Sequence, residues 1–159
     1  MHRHVVICGY GDAARSLVRS LSGRGLPFVV IENNPFIFDS VRRDSPDVPF
    51  IYGDATRPEV LELARIHEAR IVAITFPAAE DVRIVAASAQ AANSRLDVVA
   101  RGTPATHSLL RRAGSSEVVD PEFEASLEFV RHVLHRFGVD AREITALQTR
   151  WRAEYYQSE

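Results

Sequence analysis

The chain predicts an α/β fold: a Rossmann-like, doubly wound parallel sheet of six strands in the order 3-2-1-4-5-6, followed by a long C-terminal helix. Short, β-branched apolar runs alternate with longer amphipathic stretches, as strands buried on both faces do when helices cover them. The first run also meets Gly9-Tyr10-Gly11-Asp12-Ala13-Ala14, a G-x-G-x-x-A turn, before the pattern becomes helical. At 159 residues the chain suits one domain with a sizeable core.

Each element follows from local chemistry. The strand runs are His4–Cys8, Phe28–Glu32, Phe50–Tyr52, Arg70–Thr75, Val98–Arg101 and Val118–Val119. The first helix carries its inner stripe on Leu17, Val18 and Leu21, and Gly25 with Pro27 ends it. Pro35, Pro58 and Pro104 stand where a first-turn proline is tolerated, because its missing N–H has no helical partner to lose. Val60, Leu61 and Ala64 form the third stripe, and Val82, Val85, Ala86 and Ala89 the fourth. Leu109, Leu110 and Ala113 form the fifth, with Gly114 as its C-terminal cap. Glu122 to Phe137 predicts a sixth helix, ended by Gly138. The tail then places Ile144, Leu147 and Trp151 at helical spacing, followed by Tyr155 and Tyr156. Two parts are expected: a domain over 1–137 and a short helical tail over 138–159.

Composition narrows the function. Hydrophobic residues at 46% and charged residues at 25% are those of an ordinary soluble globular protein. A net charge of −2 gives no electrostatic case for nucleic acid or an anionic membrane. All 19 basic residues are arginine. Without lysine there is neither a Walker-type phosphate loop nor Schiff-base chemistry. The single cysteine, Cys8, lies in the first strand and reads as an inert core thiol. No stretch approaches the roughly 18 to 20 apolar residues of a membrane span. A cytosolic chain, or the cytosolic part of a larger protein, is expected.

The glycine turn carries the chemistry. Gly9 permits the tight turn, Gly11 lets backbone approach a phosphate, and Ala14 allows close packing of helix on strand. Free N–H groups at the helix start then face the anion. A tight strand-to-helix turn with no ligand satisfies the same pattern. Glu32 adds a carboxylate at the end of the second strand, about twenty residues on, where it accepts hydrogen bonds from ribose hydroxyls and repels a 2′-phosphate. After the third strand, "YGDAT" lets Gly53 make a close turn and offers Asp54 to an adenine amino group beside the small Ala55.

In order along the chain, "GYG", "VVIENNP", "YGDATRPEVLELARI" and "ARG…LLRRAGSSEVVDPE" resemble the RCK, or Trk N-terminal, domain. That domain regulates potassium conductance and also ends glutathione-gated potassium-efflux and related cation/proton antiporters. The resemblance covers roughly residues 4 to 137, and "GDAT" before a leucine-rich helix is its most specific piece. It implies a cytoplasmic sensor, not a catalyst. Such a sensor binds NAD(H), or alternatively AMP or another adenine nucleotide, and pairs as a homodimer at the inner face of the membrane to act on an attached potassium channel, transporter or antiporter. By matching position, Gly9 to Ala14 form the phosphate turn, with Tyr10, Asp12 and Ala13 inside it. Glu32, with Asn33 after it, takes the ribose, and Gly53, Asp54 and Ala55 take the adenine. Thr75 and Phe76 line the cleft after the fourth strand, and Arg101 faces it from the fifth.

The chain departs from the family at Asp12, where arginine is common. An acid there can cap the helix, yet it puts negative charge where phosphates would lie, which disfavours ATP more than AMP or NAD(H). Arg15 and Arg101 are the cations expected to offset it. No part of these 159 residues is expected to form the small C-terminal ligand-binding lobe of many relatives.

Two rivals are weaker. A stand-alone NAD-dependent oxidoreductase needs a general acid or base over the nicotinamide, and Thr75, Phe76 and Pro77 supply none. Glu128, His132 and His135 share a helical face, but histidines beside acids on a helix are more often solvated than metal-bound. His2 and His4 read as terminal decoration. On the sixth helix Phe123, Leu127, Val130, Leu134 and Phe137 form one stripe, with Phe129 and Val133 beside it. That is more apolar surface than one sheet face consumes, and an isologous dimer contact is expected.

Overall fold

The structure, a computed structural model, describes residues 3–157. The strands are β1 (Val5–Cys8), β2 (Phe28–Glu32), β3 (Phe50–Tyr52), β4 (Ile71–Ile74), β5 (Asp97–Arg101) and β6 (Glu117–Val119). The helices are α1 (Asp12–Ser22), α2 (Pro35–Asp44), α3 (Pro58–Leu63), α4 (Ala79–Ala92), α5 (Pro104–Arg112), α6 (Pro121–Arg136) and α7 (Ala141–Gln157). The strands form one parallel sheet in the order β3-β2-β1-β4-β5-β6. Ile7 of β1 lies between Val30 of β2 and Ala73 of β4. Strand succession therefore reverses between β1 and β4, which opens a crevice at the carboxyl ends of these strands.

Alternation along each strand builds two cores. Val6, Cys8, Ile31, Val72, Ile74, Val98 and Ala100 face one way, against Leu61 of α3, Val82, Val85, Ala86 and Ala89 of α4, and Leu110 of α5. Burial pushes the Cys8 thiol up to about 12, so it stays protonated and inert. On the other face Ile7, Phe28 and Val30 meet Ala14 and Val18 of α1 and Val41 of α2. This second core reaches only β1, β2 and β3. Beyond α1 the same sheet face opens as a groove of about 370 Å³, lined by Ala13, Leu17, Ala73, Val99, Arg101 and Val119 among others.

Helix starts follow the expected chemistry. Prolines occupy the first turns of α2, α3, α5 and α6. Asn34 accepts from the Phe36 N–H at 3.0 Å, and Asp120 accepts from the Glu122 N–H at 3.0 Å. Thr103 and Thr106 form a capping box on α5. Two sequence expectations are corrected. Leu109 is 42% exposed, because Leu110 alone points into the core from that part of α5. His4 is not decoration: it is buried, and its ring Nε2 lies 2.8 Å from the Ala64 carbonyl oxygen, tying the foot of β1 to the end of α3. His2 lies outside the described residues.

The tail is more than an appendage. Ile144 of α7 and Leu127 of α6 are both buried, and the Gln148 amide donates to the Leu127 carbonyl at 2.9 Å. At its far end α7 returns to the base of α6. The Tyr155 ring stacks on Phe123 at 3.7 Å, and its hydroxyl donates to Asp120 Oδ2 at 2.5 Å. The Tyr156 hydroxyl accepts from the Asp120 N–H and donates to Glu124, which Arg152 also holds at 2.8 Å. Part of the α6 stripe expected to pair two subunits is therefore covered in cis, because α7 brings Gln148 and the tyrosines to it. Phe129, Val133 and Phe137 stay 75%, 54% and 84% exposed. Glu128 is engaged by Arg131 at 2.8 Å rather than joined with both histidines.

Burial of the Tyr155 hydroxyl, then its bond to Asp120 and that residue's charge, push it up to about 12. A tyrosine whose folded value is raised adds stability that is complete below pH 10 and disappears as pH rises toward 12. Alkaline unfolding should accordingly steepen between pH 10 and 12. Tyr155→Phe should cost about 1 kcal/mol at neutral pH and flatten that dependence, measured by urea unfolding at each pH.

Candidate functional site

The crevice is built around Gly9. Its φ of +90° lies in the region that side chains avoid. A Cβ there would lie 3.0 Å from Thr75 Oγ1 and 3.4 Å from the Phe76 ring. Gly9 is thus required twice, by conformation and by close approach of β4. Its N–H donates to the Ile31 carbonyl at 2.8 Å, which carries the β1–β2 ladder into the turn. The Thr75 hydroxyl donates to the Cys8 carbonyl at 3.0 Å and braces the turn from the β4 side.

Glu32 locks the opposite wall. Its Oε2 accepts from the Tyr10 N–H at 2.8 Å, and its Oε1 accepts from the Asn33 and Asn34 N–H groups, each at 2.9 Å. One carboxylate at the end of β2 therefore holds both the β1–α1 turn and the β2–α2 loop. Oε2 accepts only one of these bonds and keeps acceptor capacity.

Gly11 is the N-cap of α1, and no side chain caps that helix. A Cβ at Gly11 would meet nothing within 4 Å. The fold itself does not require this glycine, and the first-turn N–H groups of α1 are open to solvent or an anion. Asp12 does not cap: it is the first helical residue, exposed, and places its charge in the first turn instead.

Beside the turn lies a cleft of about 190 Å³. Gly9, Glu32, Asn33, Gly53, Asp54, Ala55 and Phe76 line it, seven of the residues named from sequence. Gly53 permits its loop to pack tightly, since a Cβ there would sit 3.0 Å from both Val60 methyls. Asp54 is partly committed to that loop. Its Oδ1 accepts from the Thr56 N–H at 2.9 Å and the Thr56 hydroxyl at 2.7 Å.

The other named residues lie elsewhere. The Tyr10 side chain is buried in the α1 core, edge-on to Phe50 at 5.5 Å, with the Arg15 guanidinium 5.3 Å from its ring; only its N–H serves the crevice. Ala14 is fully buried and packs α1 on β1. Gly11, Asp12 and Ala13 are exposed at the start of α1. Thr75 and Arg101 line the groove beyond α1 rather than the cleft. For Arg101 the reason is strand alternation: Val98 and Ala100 occupy the α4 face, so Arg101 projects to the α1 face. Ile31, Thr56, Ala78 and Asp81 also line the cleft and were not named from sequence. Thr56 was available from "GDAT"; Asp81 had only its place in the first turn of α4 as a signal.

The cleft is electrostatically one-sided. Glu32, Asp54 and Asp81 line it, and no arginine or histidine does. Attraction for an anion is left to the α1 N–H groups and the helix dipole, against the charge of Glu32, which is bonded to the Tyr10 N–H of the same turn.

A family model described as the TrkA-N domain matches residues 5–121. Potassium channel protein 1 of Methanocaldococcus jannaschii is 28% identical over 82% of this chain and 40% of its own length. The putative K(+) efflux antiporter KefB of Alkalimonas amylolytica is 27% identical over 99% of this chain and 24% of its own. The chain thus spans less than half the length of these relatives. Among solved structures, the Kef CTD of Shewanella denitrificans in AMP-bound form superposes with a TM-score of 0.83 at 21% identity, covering 98% of this chain and 94% of that one. The GsuK channel bound to NAD superposes with a TM-score of 0.72 at 23% identity, covering 82% of this chain and 23% of that one. At these identities the two structures establish the shared fold.

The two glycines should separate by stability. Gly9→Ala should cost roughly 2 kcal/mol, several degrees in melting temperature, because φ and the Thr75 contact both oppose it. Gly11→Ala should cost under about 1 kcal/mol, the N-cap preference only. Thermal unfolding of both variants checks the order.

Proposed function

This chain belongs to the TrkA-N domain family, and we propose that it is a nucleotide-sensing regulatory unit of a potassium or other cation transport system. The ligand is NAD(H), or alternatively AMP. The observation that carries this reading is the Glu32 carboxylate fixed beside the Gly9 turn, with acceptor capacity left on Oε2. A ribose next to that carboxylate donates its hydroxyls to it. A 2′-phosphate would meet the charge of Glu32 with no arginine lining the cleft. The Asp12 charge in the first turn of α1 adds to the bias against polyphosphates.

The sensor reading also draws on company. Relatives of this chain are a potassium channel protein and a potassium-efflux antiporter, and the superposed structures hold AMP and NAD. Among the described residues no helix is long and apolar enough to cross a membrane. In this reading, which rests on those relatives, the chain acts on a membrane-embedded transporter, joined to it or bound beside it at the cytoplasmic face. The nucleotide-binding unit is residues 1–137, with α7 in 138–159 as its cover.

Pairing supplies the output. Phe129 and Val133 of α6 and Phe137 at its C-cap recur every four residues and form an exposed apolar ridge. We assign this ridge to a two-fold homodimer, in which nucleotide in each cleft biases the angle between subunits. That transmission requires tighter binding to one arrangement than to the other.

Calorimetric titration should show NAD, NADH or AMP binding at least about tenfold, or 1.4 kcal/mol, more tightly than NADP. Glu32→Gln should narrow that gap, and Gly11→Val should abolish binding with the melting temperature little changed. Preference for NADP would overturn the assignment. For assembly, light scattering on the chain at high micromolar concentration should give a dimer. Phe129→Glu with Val133→Glu should give a monomer that still binds nucleotide, since both positions are exposed and distant in sequence from the turn.

A further inference from the structure

The core under α1 and α2 stops at β1, and beyond it the same sheet face is open. Ala73 of β4, Val99 of β5 and Val119 of β6 floor a groove of about 370 Å³ there, and Ser16, Leu17 and Ser20 of α1 form one wall. Val99 is half-buried and Val119 is 37% exposed, so apolar floor is left facing water. Arg101 is the one charged side chain in the lining. Pro121, the first residue of α6, borders the groove where the chain leaves β6.

The same helix carries a matching surface. Phe129, Val133 and Phe137 are exposed on it, and the first of them stands about 12 Å along the helix from Pro121. A straight helix rooted at the rim of a groove carries its ridge away from that groove, so the ridge and groove of one chain do not meet. A second copy satisfies both at once. With a two-fold axis beside Pro121, each α6 leaves its own groove and reaches the other. Two phenylalanines and a valine suit an apolar floor, and a guanidinium such as that of Arg101 lies favourably over an aromatic face. Aromatic side chains bury about 150–250 Å² each, so two ridges in two grooves come to about 1,200 Å², the size at which specific interfaces begin.

We infer that the α6 ridge of each subunit seats in the β4–β5–β6 groove of a second copy, so that the two subunits exchange α6 arms. The inference rests on the homodimer proposed above and names the surface that receives the ridge: the sheet of the second copy, not its ridge. It also connects pairing to the nucleotide. Thr75 lines the groove, and the next residue, Phe76, lines the cleft. The Thr75 hydroxyl donates to the Cys8 carbonyl at 3.0 Å, directly before the Gly9 turn. The arm of one subunit and the nucleotide of the other therefore press on opposite sides of one wall, and occupancy of the cleft reaches the angle between subunits through it.

The test is sedimentation equilibrium and cysteine cross-linking of the full chain. Ser16→Trp fills the groove from an exposed position on α1, and Val119→Glu charges its floor. Each should raise the dimer dissociation constant at least about tenfold, as Phe129→Glu does from the ridge side, with the circular dichroism of Ser16→Trp unchanged. For cross-linking, Val119→Cys is combined in turn with Phe129→Cys, Val133→Cys and Phe137→Cys under mild oxidation. Cys8 is buried and protonated and contributes no background. At least one of these pairs should give a covalent dimer, and the ridge cysteines without Val119→Cys should give none. Cross-linking by a ridge cysteine alone, or a dimer that survives both Ser16→Trp and Val119→Glu but not Phe129→Glu, overturns the groove as receiver and leaves the homodimer standing. A wild type that is monomeric at high micromolar concentration overturns the homodimer itself.

Discussion

Three backbone N–H groups from two separate loops converge on the carboxylate of Glu32, and the geometry of the crevice depends on that convergence. Without it, among the described residues, the backbone hydrogen bond left between the β1–α1 turn and the end of β2 would be that from Gly9 to Ile31. The carboxylate has this position because β2 lies beside β1 in register, Cys8 against Ile31, so the residue after Ile31 arrives next to the turn. Gly9 completes the arrangement by allowing Thr75 and Phe76 to approach from β4. A site at the switch point of the sheet is thereby fixed by strand ends rather than by loops alone, which limits how far its walls can drift.

The two faces of the sheet are treated unequally. One carries a core running from β2 to β6 under α3, α4 and α5, while the α1 and α2 core stops at β1 and leaves a groove beyond it. Strand alternation points Arg101 into that groove and so withholds from the cleft the cation expected there. The result is a cleft whose lining carries acids without bases. Selectivity in such a cleft comes from exclusion of extra charge as much as from attraction, a negative form of recognition.

At the other end of the chain, α7 changes the meaning of α6. Leu127 is buried and bonded through its carbonyl by Gln148, Phe123 is stacked on Tyr155, and the hydroxyl bonds to Asp120 and Glu124 clamp the first turn of α6 where it leaves the sheet. What stays exposed is the flank, Phe129 and Val133, with Phe137 at the end of the central stripe.

The sequence by itself determined the six-strand alternation, the order of the sheet, the proline and glycine boundaries, and the turn-plus-acid pairing of Gly9 with Glu32. These are legible because they depend on periodicity, on φ constraints and on short-range spacing, all written in neighbouring residues. Tertiary structure decided what spacing cannot. It placed Arg101 on the α1 face, buried Tyr10 against Phe50, drew His4 into the core, and brought Asp81 across from α4 to join residues of β2 and of the loop after β3. It also decided that α7 folds back on α6. Each of these outcomes depends on which side chain wins a contact between elements far apart in the chain. That competition is settled by packing volume and strand direction in three dimensions, quantities that no local stretch of sequence contains.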